Sequence, residues 1–264
     1  MELSNIQIPK INTALSYADL LQLKADSYNK SKGDLKGYDC PECKNKGYIA
    51  KIVNGNEVLT ECKCLKIHDT LKRIESSGLE ELLRTKTFRN YECDDDWQKN
   101  LKEGAVRFAQ QDSGSIYMGG QSGSGKTHLC TAIIAAMIKK GRNVRYFVWR
   151  DDSPTLKAII NDKEYVSKMN EYKRADVLYI DDLFKQKQDS DVIISDADVK
   201  LAFELIDYRN RNNKMTLIST EKYLSELVSI DEALGGRIVE MTRGYQFIIP
   251  RDPKKNYRLR GIKQ

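Results

Sequence analysis

The sequence predicts an α/β chain in which a doubly wound parallel sheet follows a small, cysteine-held ribbon. Three observations carry this. Four cysteines cluster as Cys40-Pro-Glu-Cys43 and Cys62-Lys-Cys64. An apolar strand, Ser115–Gly119, runs into Gly120-Gln-Ser-Gly-Ser-Gly125-Lys126-Thr127 and then into the helical run HLCTAIIAAMIKK. A second apolar strand, Val177–Ile180, ends on Asp181-Asp182. Strands that alternate with helices over such a span imply a parallel sheet with its ligands at the carboxyl ends.

The 264 residues suit two small domains, or one domain with an appendage. The expected division is a helical segment plus cysteine-rich domain over 1–75, a linker over 76–90, the sheet domain over 91–250 and a basic tail over 251–264. Spaced leucines (Leu15, Leu20, Leu21, Leu23) suit a helix within 11–30, and Leu65–Ile74 suits another, broken at Ser76-Ser77-Gly78. The composition, 31% charged and 40% hydrophobic, is that of a globular protein rather than a disordered one. The longest uncharged apolar run, Leu129–Ile138, is far short of the ~20 residues of a membrane span. The start MELSNIQIPK has an acid and no apolar core, so no secretory signal is expected and the cytoplasm is the expected location. The net charge of +6 sits mostly in the last fourteen residues, where six bases face one acid. Such a tail suits a solvated terminus or a nucleic-acid contact.

Cys40, Cys43, Cys62 and Cys64 have close to the spacing of a four-thiolate zinc site, which draws soft ligands from two turns. Between the pairs, YIAKIV, Asn54-Gly55-Asn56 and EVLTEC read as a hairpin returning the second pair to the first. Four reduced thiols without metal are the alternative, since CxC is tighter than the common CxxC. Cys93 and Cys130 read as a surface thiol and a small core residue.

The run Gly120–Thr127 is G-x-x-x-x-G-K-[ST] between strand and helix, the setting in which backbone N–H groups close around phosphates. The candidate nucleotide contacts are Gly120, Gln121, Ser122, Gly123, Ser124, Gly125, Lys126, Thr127 and the adjoining His128. Lys126 bridges the terminal phosphates as a point charge, and the Thr127 hydroxyl is placed to ligate Mg²⁺. Asp181 is the expected second magnesium ligand, and Asp182 the carboxylate that polarises attacking water. Two adjacent acids could also cap the next element. Further strands are expected at Val144–Trp149, Met215–Thr220 and Tyr245–Pro250, with a helix over Asp196–Asn210. Ser219 and Thr220 end their strand on the edge of the acids; a hydroxyl there either orients water or caps a helix starting at Glu221.

The phosphate loop running into HL, the LYIDD strand, LISTEKYLSEL and Gly235-Gly-Arg237-Ile-Val-Glu240 together resemble the AAA+ helicase loaders of the DnaC/DnaI type. The CPEC…CKC ribbon is similar to that of the versions in Gram-positive bacteria and their phages. The resemblance covers nearly the whole chain, from Cys40 to NYRLR. It implies an ATP-dependent loader of a replicative helicase, docking through its N-terminal domain, self-associating through the ATPase domain and contacting single-stranded DNA. It places Asp181 and Asp182 on the Walker B pair, Ser219 or Thr220 on sensor I, and Arg237 on the arginine-finger box.

Two departures accompany the resemblance. Asp182 stands where many such ATPases have Glu, so slow, switch-like hydrolysis is expected. Only fourteen residues follow Pro250, too few for a helical lid, so the usual sensor II arginine is expected to be missing, with Arg243 a candidate substitute. Gly235-Gly236-Arg237 is expected at the tip of a turn, with Arg237 reaching a neighbour's γ-phosphate or pairing with Glu240. The charged insert Asp151–Ala175 suits a solvated helix or an assembly element. An IstB-like transposition-helper ATPase shares the core motifs but generally lacks the thiolate ribbon. A nucleotide kinase would need an acceptor pocket and a mobile arginine lid. A non-hydrolysing, zinc- and ATP-dependent adaptor remains the third alternative.

Overall fold

The computed structural model describes residues 16–76, 79–185 and 194–259. Leu15, the Ser77-Gly78 break and the last five residues of the basic tail lie outside the described residues. The chain divides into two compact units, Met1–Asp69 and Thr70–Gln264.

The first unit begins with α1 (Tyr17–Lys30), whose start is fixed by a reciprocal cap. Ser16 Oγ accepts from Asp19 N at 3.2 Å, and Asp19 Oδ2 accepts from Ser16 N at 2.9 Å. β1 (Tyr48–Val53) and β2 (Asn56–Glu61) form the expected antiparallel hairpin. Its turn places Asn54 at φ +51° and Gly55 at φ +74°, the two left-handed positions of a tight hairpin turn. The Asn29 amide pairs with the free edge of β1, donating to Ala50 O at 2.9 Å and accepting from Ala50 N at 3.0 Å. α2 spans Cys64–Ser76.

The second unit contains α3 (Leu79–Thr85), α4 (Asp96–Gln110), β3 (Ile116–Gly120), α5 (Lys126–Lys139), β4 (Val144–Val148), α6 (Trp149–Ala158) and α7 (Lys163–Arg174). β5 (Val177–Asp181), α8 (Asp196–Arg211), β6 (Met215–Thr220), α9 (Leu224–Ile230), α10 (Glu232–Met241) and β7 (Gln246–Ile249) complete it, followed by 3₁₀ turns at Pro253–Lys255 and Tyr257–Leu259. Its five strands pair in the order β4-β5-β6-β3-β7, all parallel. Every residue of β3, β5 and β6 is buried, which is why these strands read as continuous apolar runs rather than alternating ones. The core beside them joins Phe147, Leu178, Ile180, Leu205, Ile218 and Ile238 from strands and helices.

Three expectations are corrected. The strand predicted to reach Trp149 stops at Val148, because Asp152 Oδ2 accepts Val148 N at 2.6 Å and opens α6. The insert is two helices, α6 and α7, and three of its charges are tied inward. Lys157 reaches Asp198 at 2.6 Å, Lys173 reaches Glu204 at 2.6 Å, and Glu171 meets Arg145 at 3.1 Å. Gly235, Gly236 and Arg237 lie inside α10, not at the tip of a turn. A Cβ on Gly235 would lie 2.6 Å from Val228 Cα, so the glycine is there to let α10 approach α9.

Candidate functional site

β3 delivers the phosphate loop at the carboxyl end of the sheet. Gly120, Gly123 and Gly125 all adopt positive φ, at +107°, +70° and +89°. A Cβ on Gly120 would lie 1.9 Å from Ile249 O, so only glycine closes this turn. Ser124 Oγ donates to Gln121 O at 2.7 Å, and Tyr91 OH donates to Ser124 O at 3.4 Å. Lys126 is buried, and its ammonium donates to Gly120 O at 3.0 Å and Gln121 O at 2.7 Å. Burial pushes its pKa down to about 8, against the pull of Glu221 and Asp182. His128 Nε2 donates to Thr87 O at 2.8 Å, and its ring meets Tyr91 edge-on; it braces the loop from behind.

β5 places Asp181 against the loop's end. Thr127 Oγ1 donates to Asp181 Oδ1 at 3.1 Å, which joins the two expected magnesium ligands in one site. Three more hydroxyls converge on this carboxylate. Ser219 donates to Oδ1 at 2.6 Å, Tyr179 to Oδ1 at 2.5 Å and Tyr146 to Oδ2 at 2.7 Å. Burial, then the Asp181 charge, keeps both tyrosines far above their ordinary pKa, so they act as fixed donors. The two tyrosines are in register on β4 and β5. Tyr179 could have been found by its two-residue spacing from Asp181, whereas Tyr146 depends on strand order.

Of the two hydroxyls left open by the sequence, Ser219 is the one at the site. Its Oγ also accepts from Asp182 N at 3.2 Å. Thr220 turns away, donating to Leu183 O at 2.7 Å and accepting from Lys222 N at 3.1 Å. It does not cap a helix either, because α9 begins three residues beyond Glu221. Asp182 sits at φ +55° with Lys185 at 3.0 Å, and Lys185 also reaches Glu221 at 3.0 Å. Burial and then Asp181 raise the Asp182 pKa, with Lys185 opposing. Lys185 and Glu221 were not singled out from the sequence; no motif links them.

Arg237 lies apart from this cluster. Its Nε donates to Asp207 Oδ1 at 2.6 Å, its NH1 to Ala233 O at 3.0 Å, and its guanidinium stacks on Phe203. The expected partner, Glu240, accepts instead from Asn210 Nδ2 at 3.0 Å. The tail is also corrected. The described part is not a free solvated end, because Tyr257 N donates to Gly123 O at 2.9 Å and Asp252 N to Gln121 Oε1 at 2.7 Å.

The loop, Asp181, Asp182, Lys185 and Glu221 enclose a cavity of about 530 Å³, whose far wall includes Tyr91 and Arg258. Its size is that of a small-molecule site. The residues fit a nucleoside triphosphate with Mg²⁺: a glycine cradle, a buried lysine, and a hydroxyl–carboxylate pair for the ion.

In the first unit, the sulfurs of Cys40, Cys43, Cys62 and Cys64 lie within 4.8 Å of one another, all buried. Cys40 and Cys62 are 3.7 Å apart, and Cys43 and Cys64 are 3.3 Å apart. Sulfurs around a tetrahedral zinc, with bonds of about 2.3 Å, stand about 3.8 Å apart. The donor set fits a closed structural site.

Fold and site together define an AAA+ ATP-binding domain preceded by a four-cysteine module. The chain belongs to the IstB-like ATP binding protein family, whose model matches residues 66–239. It is 33% identical to the phage-like element PBSX protein XkdC of Bacillus subtilis (strain 168), over 88% of this chain and 91% of that protein. It is 24% identical to the replicative helicase loader DnaC of Escherichia coli (strain K12), over 69% of this chain and 72% of that protein. The crystal structure of the DnaC helicase loader shares the fold, with a TM-score of 0.54 at 22% identity, over 64% of this chain and 99% of that one. Among the described residues, no helix is long and apolar enough to cross a membrane.

Proposed function

We propose that this protein is an ATP-driven, self-associating loader that places a replicative helicase on single-stranded DNA. The observation that carries the proposal is the Thr127–Asp181–Ser219 cluster behind the phosphate loop, in one chain with the four-thiol cluster and similar to named helicase loaders. The reaction is ATP + H₂O to ADP + phosphate. Bound Mg²⁺ supplies charge neutralisation at the phosphates. Thr127 and Asp181 hold it, and the hydroxyls of Ser219, Tyr146 and Tyr179 keep the Asp181 carboxylate oriented. Lys126 meets the terminal phosphates. Asp182 orients the attacking water and takes its proton, and burial raises its pKa above the ordinary carboxylate value. It is one methylene shorter than glutamate, which suits slow turnover and a switch rather than a motor. Zinc held by the four cysteines folds the N-terminal module that docks on the helicase.

Co-purification with the host's replicative helicase, with and without ATP, tests this. ATP-dependent retention supports loading. The IstB-like family match favours a second reading, a transposition-helper ATPase. Retention of a transposase on duplex DNA, with no helicase bound, would replace the first reading with the second.

A further inference from the structure

Residues 252–259 form a strap across the phosphate loop. At its start, Asp252 N donates to Gln121 Oε1. At its centre, Tyr257 N donates to Gly123 O, and the Asn256 side chain occupies the space a Cβ on Gly123 would need, 1.9 Å from Oδ1. At its outer side, Tyr257 OH donates to Glu92 O at 2.7 Å. The Tyr257 ring lies 6.0 Å from Tyr91 and 6.5 Å from Trp97, and Lys255 sits over Trp97. Asn256 Oδ1 also accepts from Arg258 N at 2.9 Å, which fixes the turn that brings Arg258 to the cavity wall.

The charges around that cavity are unevenly committed. Lys126 donates to two carbonyls of its own loop from the position in which it meets the terminal phosphates, Lys185 is shared between Asp182 and Glu221, and Lys86 lines the same cavity. Asp181, Asp182, Glu221 and Glu92 bring four carboxylates to the same walls. A polyphosphate entering here needs further positive charge. The Arg258 side chain is exposed and makes no hydrogen bond or ion pair among the described residues. It has the reach and the planar donors to grip a phosphate.

We propose that Arg258 is a nucleotide-binding residue, supplied in cis by the strap, that pairs with the phosphate chain of ATP. This rests on the reading of the cavity as an ATP site. The strap thereby becomes part of the binding site, seated by backbone and aromatic contacts, with Arg258 as its charged tip.

Isothermal titration of the full chain with ATP, at two salt concentrations, tests it. Arg258→Ala is expected to weaken ATP binding about tenfold and to flatten its salt dependence, since a charge pair is lost. Arg258→Gln, which keeps most of the length, is expected to do the same. Lys254→Ala, exposed in the same strap but outside the cavity wall, is expected to bind as wild type does. Affinity within twofold of wild type for both Arg258 variants overturns the proposal. So does a loss with unchanged salt dependence, which marks a packing role. Wild-type protein that binds no ATP overturns the nucleotide reading itself, so the two failures are distinct.

Discussion

Arg237 Nε lies 2.6 Å from Asp207 Oδ1, and Arg211 takes the other oxygen of the same carboxylate at 2.6 Å. Burial alone would raise the Asp207 pKa, but the hydrogen bonds from Arg237 and Arg211 hold it below the ordinary carboxylate value. Arg237 is therefore held on its own subunit, on α10, away from the residues that line the phosphate cavity. To serve a neighbour's nucleotide it must leave Asp207, which keeps Arg211 as a partner when it does.

Mixed subunits test that role. Arg237→Ala subunits keep an intact phosphate loop, and Lys126→Ala subunits keep the arginine. Each alone is expected to lack ATPase activity, and the mixture is expected to recover it. No recovery in demonstrated co-assemblies confines Arg237 to its pair with Asp207.

Gly235 sets the spacing of α9 and α10. Gly235→Ala places a methyl against the Val228 backbone and is expected to cost about 2 kcal/mol, a fall in Tm of about 4–8 °C. Gly236→Ala, with open space around it, is expected to leave Tm unchanged or to raise it slightly. Equal losses at both positions, by differential scanning calorimetry, contradict the packing account.

The four-thiol cluster predicts about one zinc per chain in protein purified without added metal. Cys62→Ser is expected to lose that zinc and to expose the hairpin of β1 and β2 to proteolysis, leaving the sheet domain resistant. Elemental analysis alongside limited digestion reads both. Metal-free protein with a protected hairpin contradicts the assignment.

Lys126 predicts a pH dependence. Its pKa of about 8 means that the free site loses its charged lysine as pH rises through that value. The protonated form meets phosphate, so ATP binding is expected to be nearly full at pH 7 and to weaken as pH rises through about 8. It is expected to be about tenfold weaker at pH 9 than at pH 7. A flat Kd over this range contradicts the role given to Lys126.

Much of the site was legible because its chemistry is local in sequence. The loop from Gly120 to Thr127, the pair Asp181-Asp182 and the two cysteine pairs each bring their ligands together through one turn or one strand end. What could not be seen depends on register. Ile180 pairs with Ile218, and this alignment, rather than composition, brings Ser219 beside Asp181 and sends Thr220 to brace Leu183. Tyr146 needs β4 to lie next to β5. Gly235 misled because two glycines suggest a turn; close helix packing overrode their low helix propensity. The seating of the strap on Gly123 had no sequence signal, because the charge of the tail pointed to solvent or nucleic acid and not to the phosphate loop.

Asp182→Asn tests the central claim, that this cavity binds and hydrolyses ATP with Asp182 as the water-directing carboxylate. Phosphate release at saturating ATP and the Kd for ATP are measured on the same preparation. The predicted result is wild-type binding within about threefold and turnover reduced about a hundredfold or more. Turnover at the wild-type rate, with ATP bound, would contradict it.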